Sequence, residues 1–150
     1  MIRYLIDTNA IIALKRQRSR PLLDRILACK PGEIALSTIV LHELYYGAYR
    51  SQKLERNLEV IRLLKRDFEV LDLDDGDARE AGDIRAALAM AGTPIGPYDL
   101  LIAGQAIARS LTLVSNSVGA FSRIPRLRLE DWTLPSATGF HDTWDPSAKK

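Results

Sequence analysis

Three acids, Asp7, Glu43 and Asp99, stand at points where a chain usually turns from a strand into a helix or opens a helix. Asp7-Thr8-Asn9 closes the apolar run Tyr4-Leu5-Ile6. There an Asp or Thr can accept hydrogen bonds from the free N–H groups of the next helix, or a carboxylate can anchor a hard cation with Asn9 as an orienting donor. Glu43 lies among mostly apolar neighbours in Ser37-Thr38-Ile39-Val40-Leu41-His42-Glu43-Leu44-Tyr45-Tyr46-Gly47-Ala48. It shares a helical face with Ile39, Tyr46 and Gly47, so its charge needs a metal ion or an Arg partner. His42 points elsewhere and reads as a surface or half-buried histidine. Asp99 falls in the first turn behind Pro97, where the helix dipole alone would favour an acid. Brought together, the three carboxylates would repel one another unless a divalent cation sat between them.

The elements that would gather them are legible as periodicity. Tyr4-Leu5-Ile6, Ile34-Ala35-Leu36, Val70-Leu71-Asp72-Leu73 and Leu111-Thr112-Leu113-Val114 read as short buried parallel strands. Segments 38 to 49, about 52 to 67, 76 to 91 and 98 to 109 carry apolar positions three or four apart, as helices do. The order β-α-α-β-α-α-β-α-α-β makes the strands cross over and run parallel. The expected architecture is therefore a three-layer α/β/α sandwich with a central parallel sheet of four or five strands and its ligand crevice at the strands' carboxyl ends. Asp7, the segment from Ser37 to Glu43, and Ser115-Asn116-Ser117 all follow strands at that edge.

A chain of 150 residues that is 47% hydrophobic can fill one core, and its net charge of +2 makes it neither a disordered chain nor a generally basic coat for nucleic acid. Contact with nucleic acid must then come from local patches. Lys15-Arg16-Gln17-Arg18-Ser19-Arg20, which includes Arg16 and Arg18, is one such patch and begins about 12 Å from Asp7 at 1.5 Å per helical residue. The short apolar start is no signal peptide and no later run approaches a membrane span, so a cytoplasmic protein is expected. The single cysteine, Cys29, rules out an internal disulfide and argues against a cysteine-based zinc site. A domain over residues 1–133 and a flexible tail over 134–150 follow from the loss of periodicity after Trp132.

From about residue 2 to Trp132 the chain resembles the VapC-type toxins among the PIN-domain ribonucleases. Leu5-Ile6-Asp7-Thr8-Asn9, Leu36-Ser37 through Glu43-Leu44-Tyr45-Tyr46-Gly47-Ala48, and Gly92-Thr93-Pro94-Ile95-Gly96-Pro97-Tyr98-Asp99-Leu100-Leu101-Ile102-Ala103 carry the likeness. Leu113-Val114-Ser115-Asn116 and Leu127-Arg128-Leu129-Glu130-Asp131-Trp132 resemble the family's last strand and loop. The resemblance implies Asp7, Glu43 and Asp99 as ligands for Mg²⁺ or Mn²⁺ and Asn9 as an orienting neighbour. It further implies an RNA substrate cut by activated water, a cognate antitoxin protein as partner, and a homodimer.

The chain departs from the family after Asn116, where Ser117 and Ala120 occupy the positions at which a further carboxylate is expected. Asn116 or Ser117 would then meet the ion or the substrate through neutral oxygens, which hold a divalent cation less strongly. Weak metal-dependent turnover, better with Mn²⁺ than Mg²⁺, is the corresponding expectation. A rival reading keeps the fold as a catalytically weakened domain that binds RNA or a partner. A second makes Asp7 the nucleophile of a phosphotransfer domain, but Asn9 replaces the usual second Asp and no well-placed Lys follows the fourth strand.

Overall fold

The computed structural model describes residues 1–135, so the tail expected over residues 134–150 lies almost wholly outside the described residues. In chain order the elements are β1 (Tyr4–Ile6), α1 (Thr8–Lys15), α2 (Arg20–Ala28), β2 (Ile34–Ser37), α3 (Thr38–Arg50) and α4 (Leu54–Asp67). Then follow β3 (Glu69–Leu71), α5 (Asp75–Met90), α6 (Pro97–Ala108), β4 (Thr112–Val114), α7 (Val118–Phe121) and β5 (Leu129–Glu130). The strands form one five-stranded parallel sheet in the order β3-β2-β1-β4-β5. Because the order runs outward from β1 in both directions, right-handed crossovers place the two sets of connecting helices on opposite faces. The expected three-layer sandwich is what forms.

β1 lies at the centre, which is why Leu5 and Ile6 are fully buried. Its register sets Ile6 beside Val114, so Asp7 and Ser115 leave the sheet side by side. β3 differs from expectation. Val70-Leu71-Asp72-Leu73 reads as a buried run, yet the strand is Glu69–Leu71 at the sheet edge, with Glu69 and Val70 exposed. An edge strand packs on one side only, so its apolar residues need not be buried.

α1, α2, α3 and α5 start where side chains satisfy their free N–H groups. Ser19 Oγ accepts from the Leu22 N–H, Ser37 Oγ from the Ile39 N–H, and Asp74 with Asp77 closes a reciprocal capping box on α5. α5 and α6 form a tightly packed antiparallel pair. At their crossing Gly104 stands so close to α5 that a Cβ there would lie 2.6 Å from the Ala81 backbone nitrogen. At the far end the buried Asp77 accepts two hydrogen bonds from the Arg109 guanidinium, at 3.2 and 3.0 Å. Gln105 Nε2 donates to Asp77 at 3.1 Å and to the Asp72 carbonyl at 3.1 Å. These contacts fix α6, and with it Asp99 in its first turn.

Candidate active site

Asp7, Thr8, Asn9, Ile12, His42, Glu43, Tyr46, Tyr98, Asp99 and Ile102 line one cleft of about 550 Å³ at the carboxyl edge of the sheet. Three elements converge there: the junction of β1 with α1, the middle of α3, and the first turn of α6. The capping and functional readings of Asp7 turn out to be compatible. Its Oδ1 accepts from the Ala10 N–H at 2.9 Å, which caps α1, while Oδ2 accepts from Ser115 Oγ at 2.6 Å. Ser115 Oγ in turn accepts from the Ser117 N–H at 2.9 Å. Glu43, half-buried on α3, accepts a hydrogen bond from Thr8 Oγ1 at 2.6 Å. Its shared face is the cleft wall and not the core, since Tyr46 and Gly47 are exposed.

The electrostatics follow from this packing. Asp7 is only 2% exposed. Burial pushes its carboxyl up to about 6, against the hydrogen bonds from Ser115 and Ala10, and the charges of Asp99 and Glu43 push the same way as burial. Asp99 is also raised above the ordinary carboxylate value, first by burial and then by the charge of Glu43. The three acids therefore share one field in which each added negative charge is costly.

Among the described residues, no three of Asp, Glu, His and Cys stand close enough as they lie to enclose an ion. Thr8 holds Glu43, and Ala10 and Ser115 hold both oxygens of Asp7. The set still suits a hard divalent cation, because it consists of carboxylate oxygens whose mutual repulsion an ion would relieve.

The other expected residues are placed differently. Asn9 lines the cleft but is exposed, and the hydrogen bonds to Asp7 among the described residues come from Ala10 and Ser115. The side-chain hydroxyl that bonds Asp7 is that of Ser115. Asn116, Ser117 and Ala120 do not line the cleft; Ser117 is linked to Asp7 through its N–H to the Ser115 hydroxyl. Arg16 and Arg18 are exposed beyond the far end of α1 and do not line it either. Ser115 was not among the expected site residues. Its signal was positional, as the first residue past β4 in a strand that pairs with β1, but pairing is a three-dimensional fact.

The model of the PIN domain matches residues 4–127. A tRNA(fMet)-specific endonuclease VapC from Salmonella typhimurium is 42% identical over 88% of this chain and 99% of its own length. The Ribonuclease VapC2 of Haemophilus influenzae is 37% identical over 88% of this chain and 99% of its own. A crystal structure of DNA-bound VapBC from Salmonella typhimurium superimposes with a TM-score of 0.83 at 42% identity, covering 88% of this chain and 99% of the other. VapBC2 from Rickettsia felis, bound to a DNA fragment from its promoter, gives 0.81 at 37% identity over 88% and 99%. The chain belongs to the PIN-domain family, on its branch of VapC ribonucleases.

Proposed function

We propose that this protein is a metal-dependent endoribonuclease, the toxin of a toxin–antitoxin pair, with Asp7, Glu43 and Asp99 as its catalytic and metal-binding acids. The observation that carries the reading is that these three acids line one cleft together, two of them raised in pKa by burial and by the neighbouring acids' charge. Bound there, Mg²⁺ or Mn²⁺ supplies positive charge against the scissile phosphate and makes water easier to deprotonate. The chain's own part is to hold Asp7 and Glu43 in fixed rotamers through Ser115, Ala10 and Thr8. The exposed Arg16 and Arg18 would meet phosphates farther along the RNA, which positions a strand without selecting its sequence.

The named relatives support an RNA substrate, and the solved VapBC complexes support a cognate antitoxin as partner. We extend the reading to a homodimer working in the cytoplasm. Among the described residues no helix is long and apolar enough to cross a membrane. The test is incubation of the partner-free protein with total RNA and Mg²⁺ or Mn²⁺, followed by mapping of the cut ends. Cuts that appear only with metal support the reading, and intact RNA with either ion overturns it.

Ser117 and Ala120 favour a second reading, a weakened nuclease that binds RNA or a partner. Ser117 is half-buried and its N–H bonds the Ser115 hydroxyl that donates to Asp7, so a carboxylate there would add negative charge next to the network that holds Asp7. Ser117→Asp should therefore lower the Mn²⁺ dissociation constant about tenfold, equivalent to about 1.4 kcal/mol, and quicken cleavage. Titration calorimetry and single-turnover cleavage measure both. If metal binds Ser117→Asp no more tightly and RNA is cut no faster, the three acids suffice and the weakened reading falls.

A further inference from the structure

Three aromatic side chains of the cleft take no part in holding its acids. His42, Tyr46 and Tyr98 line it beside Asp7, Glu43 and Asp99, yet all three are exposed, Tyr46 by 58% and Tyr98 by 42%. Core packing does not explain rings left in water. His42 precedes Glu43 in the chain and Tyr98 precedes Asp99, so each ring is one residue from an acid that would face the scissile phosphate. The two rings meet edge-on, with centroids 5.3 Å apart and planes at 64°, and His42 Nε2 lies 3.1 Å from Tyr98 Oη. That hydrogen bond ties α3 to α6 across the mouth of the cleft and holds the Tyr98 ring in place. Tyr46 offers a further ring on the α3 wall, with the Arg50 guanidinium 5.2 Å from its centroid.

Arg16 and Arg18 stand outside the cleft and would meet phosphates away from it, so the nucleotide at the cleft itself is left to the groups that line it. We propose that the His42–Tyr98 pair is a platform on which the nucleobase beside the scissile phosphodiester stacks, which makes Tyr98 a determinant of substrate choice. This rests on the ribonuclease reading above. Every base has a π-face, and a stack on an aromatic side chain requires a base free of its own neighbours, so the platform selects unpaired nucleotides. Because the ring is uncharged, the stack keeps its strength when salt weakens the phosphate contacts.

The test uses the full chain and a short single-stranded RNA in which one abasic nucleotide is moved stepwise along the strand. Affinity is read by fluorescence anisotropy in the Asp7→Asn background, and KM and kcat in the Asp7 protein. Tyr98→Ala is expected to raise Kd and KM roughly 5- to 100-fold with kcat changed far less, and Tyr98→Phe to recover most of that loss. One abasic position should cost as much as Tyr98→Ala and add nothing in the Tyr98→Ala protein. Thermal melts confirm that the variants fold. Unchanged Kd and KM in Tyr98→Ala, while the Tyr98 protein binds and cuts RNA, overturn the platform and leave the ribonuclease standing. Equal losses in the Phe and Ala variants assign Tyr98 to its bond with His42 and overturn stacking as well. Failure of the Tyr98 protein to bind or cut any RNA overturns both readings.

Discussion

An Asp7→Asn protein is expected to lose RNA cleavage by a factor of about 100 or more, and yet to melt at a higher temperature than its parent in metal-free buffer at pH 8. The loss follows from removing the carboxylate that the sheet edge holds most rigidly, with effects of the order found for single catalytic electrostatic groups. The gain follows from linkage. A carboxyl raised from 3.8 to about 6 in the folded state contributes stability that is fully present below 3.8 and is lost as pH rises through 6. At pH 8 the buried charge therefore costs the parent at most about 3 kcal/mol, taking 1.36 kcal/mol per unit. An amide of the same shape escapes that cost, though its N–H group must turn Ser115 Oγ from donor to acceptor, so a net gain of about 1 to 2 kcal/mol is expected.

Metal should reverse the order. Mn²⁺ at a hundredfold excess over its dissociation constant should stabilise the parent by about 2.7 kcal/mol through mass action. That corresponds to roughly 5 to 10 °C in melting temperature for a domain of this size. The Asp7→Asn protein should show little of this shift. Melts with chelator and with Mn²⁺, repeated from pH 4 to 8, measure all of it. A parent insensitive to millimolar Mn²⁺, or a variant less stable than the parent at pH 8, would contradict the account.

The second large effect lies away from the acids. Gly104→Ala places a methyl group 2.6 Å from the Ala81 nitrogen and within 2.8 Å of its Cα and Cβ, where the obstacle is mainly backbone and cannot rotate aside. Overpacking of this kind costs about 3 kcal/mol, and the better helix propensity of Ala returns only about 1. A net loss of about 2 kcal/mol, or roughly 4 to 8 °C in melting temperature, is expected. Because α5 must move off α6, Asp99 shifts with it, and catalysis should fall even below the melting range, since small misplacements of acting groups cost much rate. Gly82→Ala is the control, on the same helix pair but with open space around its Cβ. If Gly104→Ala melts and cuts like Gly82→Ala, the close crossing is not what holds α6.

α7 and β5 are too short to be read along the chain, but the other strands and helices, β3 with shifted bounds, and the three acids lining the cleft were legible for a common reason. Apolar runs such as Tyr4-Leu5-Ile6 end in a polar residue just where the sheet ends, and Pro97 marks the start of α6 before Asp99. Periodicity along the chain carries that information. What it does not carry is which strand lies beside which. The exposure of Val70 depends on β3 taking the sheet edge, and the serine bond to Asp7 depends on β4 pairing with β1 at the register of Ile6 and Val114. Asn9 is the neighbour that chain proximity suggests, whereas the Ser115 hydroxyl reaches Asp7 through the sheet. His42 and Tyr98 were hidden similarly, since the contact between them spans 56 positions of chain.

The central placing of β1 also bears on how the molecule comes into being. Its first strand has partners on both sides, and the donor that holds Asp7 lies 108 residues later. Pairings at such separation are among the slowest to form, since a long loop must close before the contact repays it. During synthesis, which proceeds from the N-terminus, α1 through α4 can collapse around β2 and β3 while β1 still lacks its neighbour on the other flank. The chain thus makes Asp7 long before the residue that secures it. An unfinished polypeptide carries Asp7, Glu43 and even Asp99 without the serine that holds Asp7 in place, so the cleft is completed only once the ribosome has released β4 and the residue that follows it.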